Sequence, residues 1–285
     1  MATVTPLVEA VPPHPTVRIR PRSGWRIFEL AELWHARGLL VMMARRDQKL
    51  RYRQTVLGVG WVVLQPLLAA AVLAFVFGTI ARLPSDGVSP ILLAYTGLVC
   101  WNLFAVTISS SSISVVAATH LVGKVYFPRL ILPISAAGVA LTDFAVSFVL
   151  MAVIVLVSGV RVTAALLTLP FWFAMVLALS LGLGFAAAAL MVTMRDIRYI
   201  VTFGLQLLLY ASPVAYAASA VPQRFATIYN LNPLVPLVSG FRWAILGTPA
   251  PAMGAVIYAC CVTMFMLVAG VVIFRFREPV IADVI

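Results

Sequence analysis

Few residues in this 285-residue chain could do chemistry, and their placement excludes most of it. His14, His35 and His120 are scattered, so no metal-ligand constellation is expected. Gly123–Lys124 is followed by valine and has no glycine five residues before it, so no phosphate-binding loop is present. Cys100, Cys260 and Cys261 all fall inside apolar runs, which points to packing and away from a disulfide framework. Asp143 is the clear acid inside a long apolar run. A charge there costs about 2.5–3.5 kcal/mol on insertion scales, so it must be paired, hydrated or protonated. Two readings are open: a polar point or proton site along a pathway, or a hydrogen bond to a neighbour such as the Ser109–Ser112 run. Asp86 is the sole acid expected on the outer face, too little for paired acid–base catalysis, so no catalytic residue is assigned.

The elements that must position these residues are membrane helices. The chain is 63% hydrophobic and 10% charged, far from the composition of a soluble domain. Its net charge of +11 lies beside apolar runs, so the partner is the membrane surface and not nucleic acid. The transition is sharpest over Arg45–Leu67, where Arg45, Arg46, Lys49, Arg51 and Arg53 lead into a run uncharged until Arg82. Six spans are expected, at about 56–80, 91–117, 132–157, 164–194, 200–218 and 252–274. With both termini cytoplasmic, only Arg82, Arg161, Arg224 and Arg242 of the 20 lysines and arginines fall outside. Residues 1–23 read as a proline-rich flexible cytoplasmic tail ahead of a membrane domain at 24–285. No secretory signal is expected, because the first long apolar run begins near Val56.

From Gly24, Ile27, Leu30, Trp34, Gly38, Val41 and Met42 share one helical face opposite Arg26, Glu29, Glu32 and Arg37, the pattern of a helix at the inner interface. Ser219–Pro251 is apolar but interrupted by Asn230, Asn232, Pro233, Pro236 and Arg242. It reads as short re-entrant helices on the outer face, their backbone breaks shielded by protein. The loop Thr119–Pro133 carries Tyr126–Phe127 between Lys124 and Arg129; a partner groove or an interfacial belt would each explain it.

Several segments together resemble the permease subunit of ABC-2-type polysaccharide exporters, which move O-antigen, capsule, teichoic acid and galactan. They are Arg46-Asp47-Gln48-Lys49-Leu50-Arg51-Tyr52-Arg53 through Gly58, Trp61 and Gln65-Pro66-Leu67; Phe127-Pro128-Arg129; Arg195-Asp196-Ile197-Arg198; Ser212-Pro213-Val214 with Tyr216; and Asn232-Pro233-Leu234 with Arg242. The resemblance covers Gly24 to the C-terminus and implies a bacterial inner-membrane homodimer working with two copies of a separate ATPase. ATP and magnesium would sit on that partner, with no cofactor on this chain. It implies ATPase coupling through Arg46, Asp47, Lys49, Arg51 and Arg53, through His120, Gly123, Lys124, Tyr126, Phe127, Pro128 and Arg129, and through Arg195, Asp196 and Arg198. It implies an outer gate around Pro222, Asn232, Pro233 and Arg242. Conduit candidates for a lipid-linked polysaccharide are Trp61, Phe75, Trp101, Phe104, Asp143, Tyr210 and Tyr216. An ABC-2 exporter of a small lipid or drug, a polytopic glycolipid enzyme and an ion-coupled transporter leaning on Asp143 are the competing readings.

Overall fold

The computed structural model describes residues 34–52, 58, 60–122, 127–160 and 163–284, and among them every regular element is helical. The expected tail at 1–23, the start of the interfacial helix, and Arg53, Gly123, Lys124 and Tyr126 lie outside the described residues. Helix α1 (Arg37–Tyr52) leads to α2 (Gly60–Leu73), which continues as a π-helical stretch, Ala74–Ile80. Next come α3 (Pro90–Ala117), the short α4 (Thr119–Val122) and α5 (Ile131–Val157). A tight turn of helix, Ala164–Thr168, opens α6 (Leu169–Met191). Then follow α7 (Ile197–Ala211), α8 (Gln223–Asn230), α9 (Leu234–Leu246) and α10 (Met253–Val284).

Among the described residues five stretches are long and apolar enough to cross a bilayer: Gly60–Ile80, Pro90–Ala117, Ile131–Val157, Ala164–Met191 and Met253–Ile281. The fifth expected span is different. Helix α7 has 15 residues, about 22 Å of rise against about 30 Å of hydrocarbon, and the chain leaves helical geometry at Ser212-Pro213. The last helix runs past the expected end at 274, carrying Arg275, Arg277 and Pro279 to Val284.

Because lipid is as apolar as leucine, such helices are held by close packing and polar contacts more than by burial alone. Helix α3 is the centre, buried along most of its length, with α5, α6, α2 and α9 around it. Helices α6 and α10 meet backbone to backbone: a Cβ on Gly270 would lie 2.0 Å from the Gly182 carbonyl oxygen. Helix α1 docks on α5, where Ala44 Cβ lies 2.9 Å from the place a Gly138 Cβ would take. Its buried residue is Met43, backed by Ala36, Leu39 and Leu40, while Trp34, Val41 and Met42 face outward. The helix therefore has two apolar faces, one for the bundle and one free for lipid, as an interfacial position requires.

Candidate functional site

At one end of the bundle, α1, the α3–α5 connection and the end of α10 meet. Met43, Phe127, Ile131, Phe185, Phe274 and Ile281 form a shared apolar cluster there. Arg129 Nη1 donates to the Glu278 carbonyl at 2.6 Å, and Arg275 pairs with the Glu278 side chain at 3.1 Å. Phe127 thus plugs its loop into the bundle and does not present its ring outward. His120, Arg195, Asp196 and Arg198 are exposed, with Pro128 half-buried beside Arg129. Arg46 and Asp47 form a surface pair at 2.8 Å, worth no more than about 1 kcal/mol.

The junction between α1 and α2 is built around Asp143. Its carboxylate takes Arg51 Nη2 at 2.7 Å and the Tyr52 hydroxyl, both from the last turn of α1. Its partners are therefore on α1 and not in the serine run. Ser109, Ser110, Ser112 and Ser114 instead bond carbonyls of their own helix, and Ser111 donates to the Pro133 carbonyl at 2.8 Å. Burial, then the Asp143 carboxylate, push the Tyr52 hydroxyl up to about 12, so it stays a donor. Gly58, at φ +51°, turns the chain between the two helices, a backbone angle that suits glycine. Above the Asp143 pair, α2, α3 and α5 line a partly open cavity of about 200 Å³ whose polar wall is Arg51, Gln65, Asn102, Asp143 and Ser147, with Trp61 at its edge.

At the other end the chain leaves α7 at an extended Ser212 and turns, buried, through Pro213 and Val214, whose amide donates to the Ser212 carbonyl at 2.7 Å. Backbone freed from a helix at membrane depth needs partners. Arg242, buried on α9, donates to the carbonyls of Tyr216 at 2.8 Å, Val214 at 2.8 Å and Leu93 at 2.9 Å. Asn232 Nδ2 donates to the Ala211 carbonyl at 3.2 Å and to Ser212 Oγ at 2.9 Å, while its Oδ1 accepts the Leu234 amide at the head of α9. Gly97 makes the close approach possible, since a Cβ there would lie 2.3 Å from the Val214 oxygen. Tyr216 stands between Phe77 of the π-helical stretch (6.1 Å between ring centroids) and Tyr229 of α8 (6.5 Å). Pro222 and Pro233 immediately precede α8 and α9.

The conduit candidates separate. Trp61, Phe75 and Tyr210 are exposed and Tyr216 is half-buried. Trp101 and Phe104 are packed against each other in the α3 core, 5.6 Å between ring centroids, with no face open to the outside of this chain. Sequence reasoning marks α3 as aromatic, but a uniformly apolar helix carries no periodicity to say which side is buried.

A model of the ABC-2 type transporter family matches residues 38–246, the whole stretch from α1 to the end of α9. The chain belongs to that family. An O-antigen export system permease protein, RfbA, of Myxococcus xanthus is 30% identical over 256 residues, covering 88% of this chain and 97% of that protein. The RfbA permease of Klebsiella pneumoniae is 28% identical over 209 residues, 72% of this chain and 78% of its own. The resemblance carried by the motifs is thus borne out at the level of the family: this is a transport permease, a multi-pass protein of the inner membrane and not itself an enzyme. Within this ABC-2 domain the sequence motifs fall at backbone breaks. Arg51, Tyr52 and Gly58 stand at the α1–α2 junction, and Ser212–Val214, Asn232 and Arg242 form the break after α7. Tyr52's hold on Asp143, and Gln65, Asn102, Phe77 and Tyr229, were not singled out as site residues from sequence. Gln65 and Asn102 could have been found as carboxamides inside apolar runs.

Proposed function

We propose that this chain is the conduit-forming permease of an ATP-driven exporter that moves a lipid-linked polysaccharide across the bacterial cytoplasmic membrane, as a homodimer with two ATPase subunits. The observation that carries the reading is the near full-length similarity to an O-antigen export permease. The missing phosphate-binding loop supports a separate ATPase, which would hold ATP and magnesium. The basic residues of α1, the α3–α5 connection, the α6–α7 turn and the end of α10 support a cytoplasmic position for that end and for both termini. In that topology α7 is the fifth span, completed by the turn at Ser212–Ala217, whose Val214 and Tyr216 carbonyls Arg242 satisfies. Helices α8 and α9 are the outer gate.

ATPase movement reaches the conduit through α1, the Phe127 loop and the Arg195–Arg198 turn. Helix α1 passes it to α2 and α5 at the Asp143 junction. Affinity purification of the tagged chain from native membranes tests the assignment. A soluble ATPase should co-purify at equal stoichiometry, and depletion of the chain should strip the surface glycan. An ATPase-free preparation together with an unchanged glycan would refute it.

A further inference from the structure

The cavity bounded by α2, α3 and α5 has a feature that packing does not explain. The side-chain amides of Gln65, exposed, and Asn102, half-buried, line it from two adjacent spans, and among the described residues neither forms a hydrogen bond, so at membrane depth both are left to whatever enters the cavity. An unmet carboxamide inside a membrane domain is costly, and apolar residues would fill the space at less cost. The other polar wall groups are partly committed: Asp143 to Arg51 and Tyr52, and Ser147 to the Val62 carbonyl at 3.4 Å. Trp61 lies at the rim with half its surface open.

We infer that this cavity is a sugar-binding subsite, taking one monosaccharide ring of the transported glycan. The match is chemical. Each carboxamide offers an acceptor and two donors, the pattern that engages adjacent hydroxyls. The Trp61 indole offers a flat apolar face for the C–H side of a sugar ring, and Arg51 and Asp143 close the floor with charge-assisted partners. A volume of about 200 Å³ suits one ring and excludes an acyl chain of any length. A phospholipid tail would also leave both carboxamides unmet.

This inference rests on the glycan-export reading, and the test separates the two. Trp61→p-benzoylphenylalanine is introduced into the full-length chain in its native host, with Phe265→p-benzoylphenylalanine, exposed on α10, as the control. After irradiation, the denatured chain is stained for carbohydrate by periodate oxidation and hydrazide coupling. The Trp61 position should carry carbohydrate and the Phe265 position should not. Adding Gln65→Leu and Asn102→Leu should lower the adduct by about tenfold; if that protein fails to accumulate, Gln65→Leu alone serves. An adduct confined to phospholipid, carbohydrate equal to the control, or a yield unmoved by loss of the amides overturns the subsite. If depletion of the chain leaves the surface glycan unchanged, the export reading itself falls. If depletion removes the glycan and Trp61 still captures none, only the subsite falls.

Discussion

Removing Arg51 should harm this protein more than removing the acid it pairs with. Asp143 has a side chain only 10% exposed, and among the described residues its donors are Arg51 and Tyr52. Arg51→Met strips one donor and leaves a carboxylate at membrane depth. Taking one partner from a buried pair costs about 3–5 kcal/mol; with Arg51 42% exposed and a polar cavity above, about 2 kcal/mol is the reasonable share. Asp143→Asn removes the charge, keeps an acceptor for Tyr52, and leaves an arginine that can turn its head toward water, so about 1 kcal/mol or less is lost. The double variant should then match Asp143→Asn alone, a coupling of about 2 kcal/mol in the cycle. Reversible unfolding of the detergent-purified chain in a dodecyl sulfate titration reads all four proteins. Additive singles, or Asp143→Asn as damaging as Arg51→Met, would refute the argument. The same Asp143→Asn protein should export with undiminished ATP dependence, and loss of transport at normal stability would revive the proton-coupled alternative.

Arg242→Met should destabilise the outer break by about 3 kcal/mol, three charge-assisted bonds being lost against the relief of a buried guanidinium. Arg242→Lys should lose about 1–2 kcal/mol, because one ammonium can serve the Leu93 and Val214 carbonyls around Nη2 but not Tyr216 as well; both read out by thermal aggregation of the purified chain. Gly270→Ala should force α10 away from α6 at a cost of about 1–3 kcal/mol or more, measured in the same assay, whereas Gly254→Ala, with open space around it, should cost little. Asn232→Ala should cost about 1–2 kcal/mol and raise protease cleavage between α7 and α9, since it frees the Ala211 carbonyl and the head of α9 together.

What could be read from the sequence follows from what the signal is made of. Apolar length alone marks α3, α5, α6 and α10, and their ends fall close to where expected. The last helix overruns because hydropathy stops at Arg275, while the backbone continues under the Arg275–Glu278 and Arg129–Glu278 contacts. Helix α1 shows why a face can be misjudged: Leu39, Leu40 and Met43 lie beside Val41 and Met42, so both sides are apolar and only docking on Gly138 tells them apart. The Asp143 partner was legible only as a need. Ser109–Ser112 is nearer in sequence, but Ser109, Ser110 and Ser112 satisfy themselves on the preceding turn and Ser111 on the Pro133 carbonyl, leaving the carboxylate to Tyr52, 91 residues away, and its neighbour Arg51. Trp101 and Phe104 read as conduit candidates by type, and only the packing of α3 shows them enclosed.

The two charges at membrane depth share a cause. A helix within lipid satisfies its own backbone, so a charged side chain finds no use along its middle and bears a desolvation cost. Where a helix stops, carbonyls are left without amides, and a donor with several hydrogens recovers more than it costs. Helix α7 stops at Ala211 short of the far side, and Asn232 and Arg242 take up its terminal carbonyl and those of the turn that follows. Arg51 and Tyr52, in the last described turn of α1, supply the donors that Asp143 requires. At the α7 break the polar group and the interruption explain one another: remove Arg242 and the turn after α7 has no reason to stay dry; straighten the turn into helix and Arg242 keeps only the Leu93 carbonyl. Charged residues in such permeases should therefore be sought first at interruptions, where Ser-Pro, Asn-Pro or Gly breaks an apolar run, and only afterwards along the faces of unbroken spans.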